Sequence, residues 1–277
     1  MIRPYLKWAG GKRQLLQTIK TFLPPHIEKY KYYEPFVGAG AVLFELQPQK
    51  AVINDFNSQL MLTYHVIKNN IDDLIDKLYI HQKNNNKDYY YNIRSQDRNS
   101  NNFKMLSDAD KAARLIFINK TCYNGLYRVN SKGLFNVPYG TYKNPNICEA
   151  NILRSIHKYL VTNEIEILNG DFAIATRTAD TKSFVYFDPP YHSQDNGNFT
   201  RYQADGFGES EQIRLRNHYL ELTEKGIKCL MSNSDTKFIK EIYSDKRLNI
   251  CTVQAKRLIN SNSEKRGEVN EVLIKNW

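Results

Sequence analysis

Two consecutive prolines, Pro189 and Pro190, set a hard limit on how this chain can fold. Each removes a backbone N–H donor and fixes φ, so no interior sheet ladder runs through them. The run before them, Ser183-Phe184-Val185-Tyr186-Phe187, is β-branched and aromatic and reads as a buried strand. That strand must end at Asp188, and Tyr191 follows the stiff turn. In open α/β sheets ligands bind at the carboxyl ends of strands. A carboxylate, its neighbouring carbonyls and an aromatic ring in fixed relation can accept hydrogen bonds from an amino group and stack on a flat ring. The plainer reading is an ordinary strand-to-loop turn, because Asp-Pro pairs commonly start turns. The difference rests on whether the rest of a site stands elsewhere in the chain.

Other pieces of such a site occur earlier. Lys7-Trp8-Ala9-Gly10-Gly11-Lys12 sets two lysines and a Trp around two glycines that let backbone approach a ligand closely. It is not a Walker loop, and its plainer reading is a helix entry with a core Trp. Helical pattern over 14–19 is stopped by Pro24-Pro25. Tyr32-Tyr33-Glu34-Pro35-Phe36-Val37-Gly38-Ala39-Gly40 reads as strand and glycine turn, and 41–46 as a short helix. Gly38 and Gly40 form G-x-G, but Leu43 breaks G-x-G-x-x-G. A second strand, Ala51-Val52-Ile53-Asn54, ends in Asp55, 17 residues after Gly38. An acid there is well placed for a ribose hydroxyl pair; alternatively, or as well, it caps a helix beginning near Ser58.

From 57 to 167 the α/β alternation is lost. Residues 60–79 have helical spacing, and 81–102 are polar and aromatic, with Tyr89, Tyr90, Tyr91, Arg94, Arg98 and many asparagines. Residues 107–120 are helical, with Ser107-x-x-Asp110 as a capping box. Two short alternating runs in 122–140 flank Asn130-Ser131-Lys132-Gly133 and read as a β-hairpin with a four-residue tip. Basic, aromatic and amide groups contact phosphates, stack on bases and read base edges; a solvated helical cap has the same composition. The sheet resumes at Glu164-Ile165-Glu166-Ile167-Leu168, and Asp171 and Phe172 beyond it could bracket a purine or form a turn with one core Phe. After Asp188 come a long glycine-dotted loop over 192–208, a helix over 211–225 closed by Gly226, and a strand over 228–232. Two further strands, 249–253 and 272–275, are separated by polar 260–267. The expected organisation is discontinuous: 1–56 and 168–277 form an α/β body, and 57–167 is an inserted, mainly helical domain with a β-hairpin.

Composition narrows the partners. The 277 residues carry a net charge of +10, which solubility alone could explain but which a polyanionic partner explains better, since Lys and Arg fall among Tyr, Asn and Phe. No apolar run reaches membrane-spanning length, and the start has no signal-peptide pattern. Cys122, Cys148, Cys229 and Cys251 are widely spaced with no C-x-x-C, which argues against zinc and against a disulfide framework. The expectation is a cytoplasmic protein without metal or membrane attachment.

Taken in order, Lys7–Lys12, Pro35–Gly40, Asn54-Asp55, Asn124-Gly125-Leu126-Tyr127-Arg128, Phe135-Asn136-Val137-Pro138-Tyr139-Gly140, Gly170-Asp171-Phe172 and Asp188–Tyr191 resemble the Dam-type DNA adenine-N6 methyltransferases. The resemblance runs from about residue 4 to 275 and is closest to the versions that accompany GATC-cutting restriction enzymes. It implies a seven-stranded, mostly parallel Rossmann-like sheet ending in an antiparallel hairpin. It also implies S-adenosylmethionine as methyl donor and double-stranded DNA as substrate, methylated at N6 of a flipped adenine. Trp8, Lys12, Glu34, Phe36, Gly38, Gly40, Asp55, Asp171, Phe172 and Asp188 would line the cofactor pocket. Asp188, Pro189, Pro190 and Tyr191 would hold the adenine. Lys7, Tyr123, Asn124, Leu126, Arg128, Asn130 and Pro138 would touch the recognition site, with Tyr123 wedged into the stack, and Arg94 would meet a phosphate. A monomer with a cognate restriction endonuclease is the expected setting.

Two other classes compete. A methyltransferase of protein amide nitrogen resembles Asn-Pro-Pro-Tyr rather than Asp188-Pro189-Pro190-Tyr191, and would not need 57–167. A catalytically inactive DNA-binding regulator would not need Asp188 and an intact cofactor half. Within the leading class, the same chemistry at another short adenine-containing site stays open.

Overall fold

The computed structural model describes residues 2–8, 10–192, 207–256 and 268–277. Most of the long loop over 192–208 and the polar stretch 260–267 therefore lie outside the described residues. Seven strands form one mixed sheet: β1 (Lys31–Glu34), β2 (Lys50–Asp55), β3 (Glu164–Asn169), β4 (Ser183–Phe187), β5 (Lys228–Ser234), β6 (Asn249–Lys256) and β7 (Glu268–Lys275). Their order is β3-β2-β1-β4-β5-β7-β6. β1 lies parallel to β2 and β4, and β4 to β5, whereas β7 is antiparallel to both β5 and β6. The expected strands are all present. The last two run further than their apolar residues suggested, because once apolar neighbours fix a register, polar residues can extend the ladder.

The strand order reverses between β1 and β4, which makes a topological switch point with a crevice at the carboxyl ends. The register Tyr33↔Val185 sets the end of β1, Glu34, beside the end of β4, where Asp188 follows. All five residues of β4 are buried, the pattern of an interior parallel strand covered on both faces.

The chain divides into two compact units, each discontinuous in sequence. One comprises 12–37, 48–54 and 171–277. Its core is built on Phe184 to Phe187, Leu230, Met231 and Val272 to Ile274, with Tyr219 of the helix Glu209–Glu224 donating its hydroxyl to the Cys229 and Ile274 carbonyls. Gly226, at φ +72, follows this helix in the left-handed conformation.

The other unit comprises 1–11, 38–47 and 55–170 and is mainly helical. The spacing over 60–79 belongs to two helices, Ser58–Asn69 and Ile71–Lys83. Asn70 separates them with φ −146 and ψ 54, and Asp72 and Asp73 fall in the second helix's first turn, where the dipole favours them. The tract 81–102 folds into the helix Lys87–Ser95, a 3-10 turn Gln96–Arg98 and the helix Ser100–Met105. Asn86 and Asn99 are N-caps here, which gives two of its many amides a structural reason. Ser107 caps the helix Asp108–Thr121 by accepting from the Asp110 N–H at 3.1 Å. Its hydroxyl also meets the Asp110 carboxylate at 2.6 Å. A further helix not named above, Ala150–Thr162, buries Leu153, Ile156, Tyr159 and Leu160, a spacing that marks one helical face.

The expected hairpin over 122–140 needs correction. Two isolated bridges, Cys122↔Tyr139 and Val129↔Phe135, stand in place of a continuous ladder. The 3-10 turn Tyr123–Gly125 interrupts one arm, and Pro138 lacks a donor on the other. The tip is stapled by Asn130, whose side-chain oxygen accepts from the Lys132 and Leu134 N–H groups, both at 3.0 Å.

Candidate active site

The end of β4 holds the candidate catalytic carboxylate. Asp188 accepts from Lys12 at 2.7 Å and from the Ser232 hydroxyl at 2.9 Å, both on Oδ1. No described residue bonds its Oδ2. Ser232 in turn meets the Tyr186 hydroxyl at 2.9 Å. Burial pushes the Asp188 carboxyl above the usual carboxylate range; Lys12 and Ser232 pull against that rise. Lys12 is itself buried and stands 4.5 Å from the Tyr191 ring centre. Lys12, which the resemblance sets in the cofactor pocket, is thus bound to the Asp188 carboxylate.

The turn after Asp188 is fixed on both sides. The Pro190 carbonyl accepts from Gln212 at 2.8 Å, and Gln212 is held by Asn233 at 3.1 Å; both amides are fully buried. Tyr191 donates its hydroxyl to Glu271 of β7 at 2.6 Å. Gln212, Asn233, Ser232 and Glu271 have no local signature, because their partners lie on other elements far away in sequence. Glu34 is buried at the end of β1 and accepts from the Tyr32 hydroxyl at 2.8 Å.

In the same unit Phe36, Phe172 and Phe207 form an aromatic triangle, with ring centres 5.6 to 6.3 Å apart. Asp171 caps the short helix Phe172–Ala175 and forms a bidentate pair with Arg214, whose guanidinium lies 4.1 Å from the Phe172 ring centre. The Arg214 partnership lowers the Asp171 carboxyl pKa. Asp171 and Phe172 are thus joined through a cation that sequence spacing did not reveal.

The helical unit contains the glycine turn and Asp55. Asp55 accepts from the Gly38 N–H at 3.1 Å on one oxygen and from the Asn57 N–H at 2.9 Å on the other. The helix at Ser58 is capped by Asn57, which accepts from the Leu60 N–H at 3.0 Å, so capping is not the role of Asp55. Burial raises the Asp55 pKa, and the backbone donors oppose it. Gly40, at φ +76, is packed so closely that an added Cβ would meet the Tyr64 hydroxyl at 2.7 Å. Trp8 is half-buried, 5.1 Å from the Tyr127 ring. Phe56, next to Asp55, is 78% exposed, an unusual position for so large an apolar ring, and sequence reading passed over it.

The loop over 122–140 lies in this helical unit too. Tyr123, Asn124, Arg128, Asn130 and Pro138 are exposed, and Leu126 is half-buried. Asn124 has positive φ (+53). Arg128 is aimed by Asn136, to which its Nε donates at 2.8 Å. The Asn130 side-chain oxygen is taken by the tip it staples, so its amide nitrogen is the part left for a partner. Lys7 is anchored by Asn119, which bonds both its N–H and its carbonyl, and its chain crosses Gly125, where a Cβ would come within 2.4 Å of it. Its amino group stands 3.9 Å from the Tyr142 ring centre. Arg94 donates to the Val137 carbonyl at 3.1 Å, as does Tyr90 at 2.8 Å, which ties it to the loop.

The sheet order with its antiparallel end and the Asp-Pro-Pro-Tyr turn at the switch point define an α/β methyltransferase. Residues 8–259 match the D12 class N6 adenine-specific DNA methyltransferases, and the chain belongs to that family. It is 45% identical to the type II methyltransferase M1.LlaDCHI of Lactococcus lactis subsp. cremoris, over all of this chain and 96% of the relative. It is 42% identical to the type II methyltransferase M.MjaIII of Methanocaldococcus jannaschii, over all of this chain and 99% of that protein. With the DNA adenine methylase of Escherichia coli K12 it shares 33% identity over 98% of this chain and 94% of the relative. The protein is an adenine-specific DNA methyltransferase. Among its described residues no helix is long and apolar enough to cross a membrane.

Proposed function

We propose that this enzyme moves a methyl group from S-adenosylmethionine to N6 of an adenine flipped out of duplex DNA, at GATC. The observation that carries the chemistry is the one-sided use of Asp188: Lys12 and Ser232 hold Oδ1, and Oδ2 is left for a further donor. Oδ2 and the Pro189 carbonyl would accept the two N–H bonds of the adenine amino group, favouring a pyramidal nitrogen with its lone pair outward. Lys12 favours the charged carboxylate, which stabilises positive charge developing on that nitrogen. Flipping costs a few kcal/mol of stacking, and the Tyr191 ring, fixed through Glu271, returns ~1–3 kcal/mol of it.

The Asp55 site fits a ribose. Each oxygen accepts one backbone N–H, leaving lone pairs for two hydroxyl donors. Trp8 and exposed Phe56, in the same unit as Asp55, offer flat apolar surface of the kind a purine requires; in the other unit, Phe36 and Phe172 offer the same kind of surface. When bound, S-adenosylmethionine supplies an electrophilic methyl group on a sulfonium.

Residues 57–167 are the proposed recognition region. Arg128, steadied by Asn136, can bind guanine O6 and N7 with two parallel bonds, Leu126 and Pro138 suit a thymine methyl, and exposed Tyr123 suits insertion between bases. The relatives named type II methyltransferases favour a restriction–modification setting with a cognate endonuclease. The test incubates the enzyme with labelled donor and two duplexes that differ only in one GATC, followed by nucleoside analysis. Label should enter N6-methyladenine on the GATC duplex alone. Label at other adenines on both duplexes overturns the site, and no label on either overturns the activity.

A further inference from the structure

Arg114 is 1% exposed in a helix whose neighbouring positions, Leu115 to Ile118, are apolar. Its guanidinium donates to the Ile93 carbonyl at 3.0 Å and the Arg94 carbonyl at 2.7 Å. These belong to the last turn of Lys87–Ser95, where carbonyls lack helical partners and a cation suits the dipole. The same group pairs at 2.9 Å with Asp97, whose side chain is 6% exposed. Breaking even costs such a pair good geometry and further bonds, so it is weak evidence for stability alone. What it does supply is direction.

Asp97 passes that direction to the reading loop. Its Oδ2 accepts from the Phe135 N–H at 3.0 Å, and Arg98, which also pairs with Asp97, donates to the Phe135 carbonyl. The loop's own bonds explain why those groups are available. Asn130 N–H bonds the Leu134 carbonyl and Asn136 N–H bonds the Arg128 carbonyl, so Val129 and Phe135 face each other as a non-hydrogen-bonded pair. The polar backbone of Phe135 then points out of the loop, and the clamp takes both groups. A slip of one residue would offer the wrong backbone groups and turn buried Phe135 outward. Asn136, the next residue, is the one that aims Arg128.

We propose that Asp97, Arg98 and Arg114 lock the register of the loop that carries Arg128 and are positioning residues for sequence discrimination. This rests on the reading that Arg128 contacts a base. Three enzymes are compared with wild type: Arg98→Met, the apolar replacement Asp97→Leu with Arg114→Met, and Arg128→Ala. Arg98→Met leaves the buried pair in place, so it tests the clamp even where the double replacement fails to fold. Methylation is measured on GATC and on singly altered duplexes at one salt concentration, and exchange of the Phe135 amide is followed by NMR.

Both clamp variants should release the Phe135 amide to faster exchange. Both should also lower discrimination at the base pair Arg128 reads, by up to the ~5–150-fold that a base contact carries. Adding Arg128→Ala to either should then cost less discrimination than it costs wild type. A merely structural role would slow all duplexes by one factor. Wild-type exchange of Phe135 in both variants overturns the clamp. Faster exchange with unchanged discrimination overturns its link to reading. If Arg128→Ala itself keeps full discrimination, the reading by Arg128 has failed, and Phe135 exchange still judges the clamp.

Discussion

Each compact unit contains a carboxylate paired with a buried cation, and the two pairs are used differently. Asp97 is occupied on both sides: Arg98 takes one oxygen, and Arg114 and the Phe135 N–H take the other. Asp188 is half-used, with Lys12 and Ser232 on one oxygen and no described donor on the second. Their side-chain exposures follow suit, 6% against 17%. A carboxylate bonded on both oxygens inside the core is suited to holding structure. A carboxylate kept charged from one side, with the other side open to a donor, can act on a substrate. Burial and pairing alone would not have separated the two; the count of satisfied oxygens does.

The comparison breaks most sharply on stability. Asp97→Ala strands the Arg114 charge in the core and is expected to cost ~3–5 kcal/mol, measured by urea unfolding. Asp188→Ala also leaves a buried lysine, but next to a partly exposed site, so its loss should be clearly smaller. Equal losses would show that the two pairs do the same job.

Activity should reverse that ranking. Asp188→Ala is expected to slow methyl transfer ~100–1,000-fold, or ~2.7–4 kcal/mol, at saturating cofactor and DNA, with DNA binding retained. A rate within a few-fold of wild type would remove Asp188 from the chemistry.

The smallest effect is in pH dependence. Burial already raises the Asp188 pKa, and Lys12 is the largest influence holding it down. Transfer needs the charged carboxylate, so Lys12→Met should move the acidic limb of the rate profile to higher pH, with little change on the alkaline side. A limb that stays put or moves to lower pH would mean that Lys12 does not tune Asp188.

Local signals located the strand ends and turns that carry the candidate site residues. Pro189 and Pro190 had to end β4, and Asp55 stands at the end of β2 after a glycine turn. The roles of individual polar residues were harder to read. Asp55 looked equally suited to cap the next helix until Asn57 proved to be the cap. The amides of 81–102 looked like base-contact groups, yet Asn86 and Asn99 begin helices. The loop over 122–140 has the alternation of a hairpin but not its ladder, since alternation records which side chains face inward and not which backbone groups pair.

By itself, the sequence determined where strands stop, where the chain turns and which acids stand at strand ends. Those outcomes follow from φ restriction at proline and glycine and from the period of apolar residues, which act within a few positions. Tertiary structure alone decided that Lys12 meets Asp188, that Glu271 fixes Tyr191, that Arg214 holds Asp171 and that Arg114 and Asp97 secure Phe135. A charged side chain takes whichever partner the packed elements bring within about 3 Å, at a geometry that satisfies it. That choice depends on distances between elements far apart in sequence, and no local pattern of residue types encodes them.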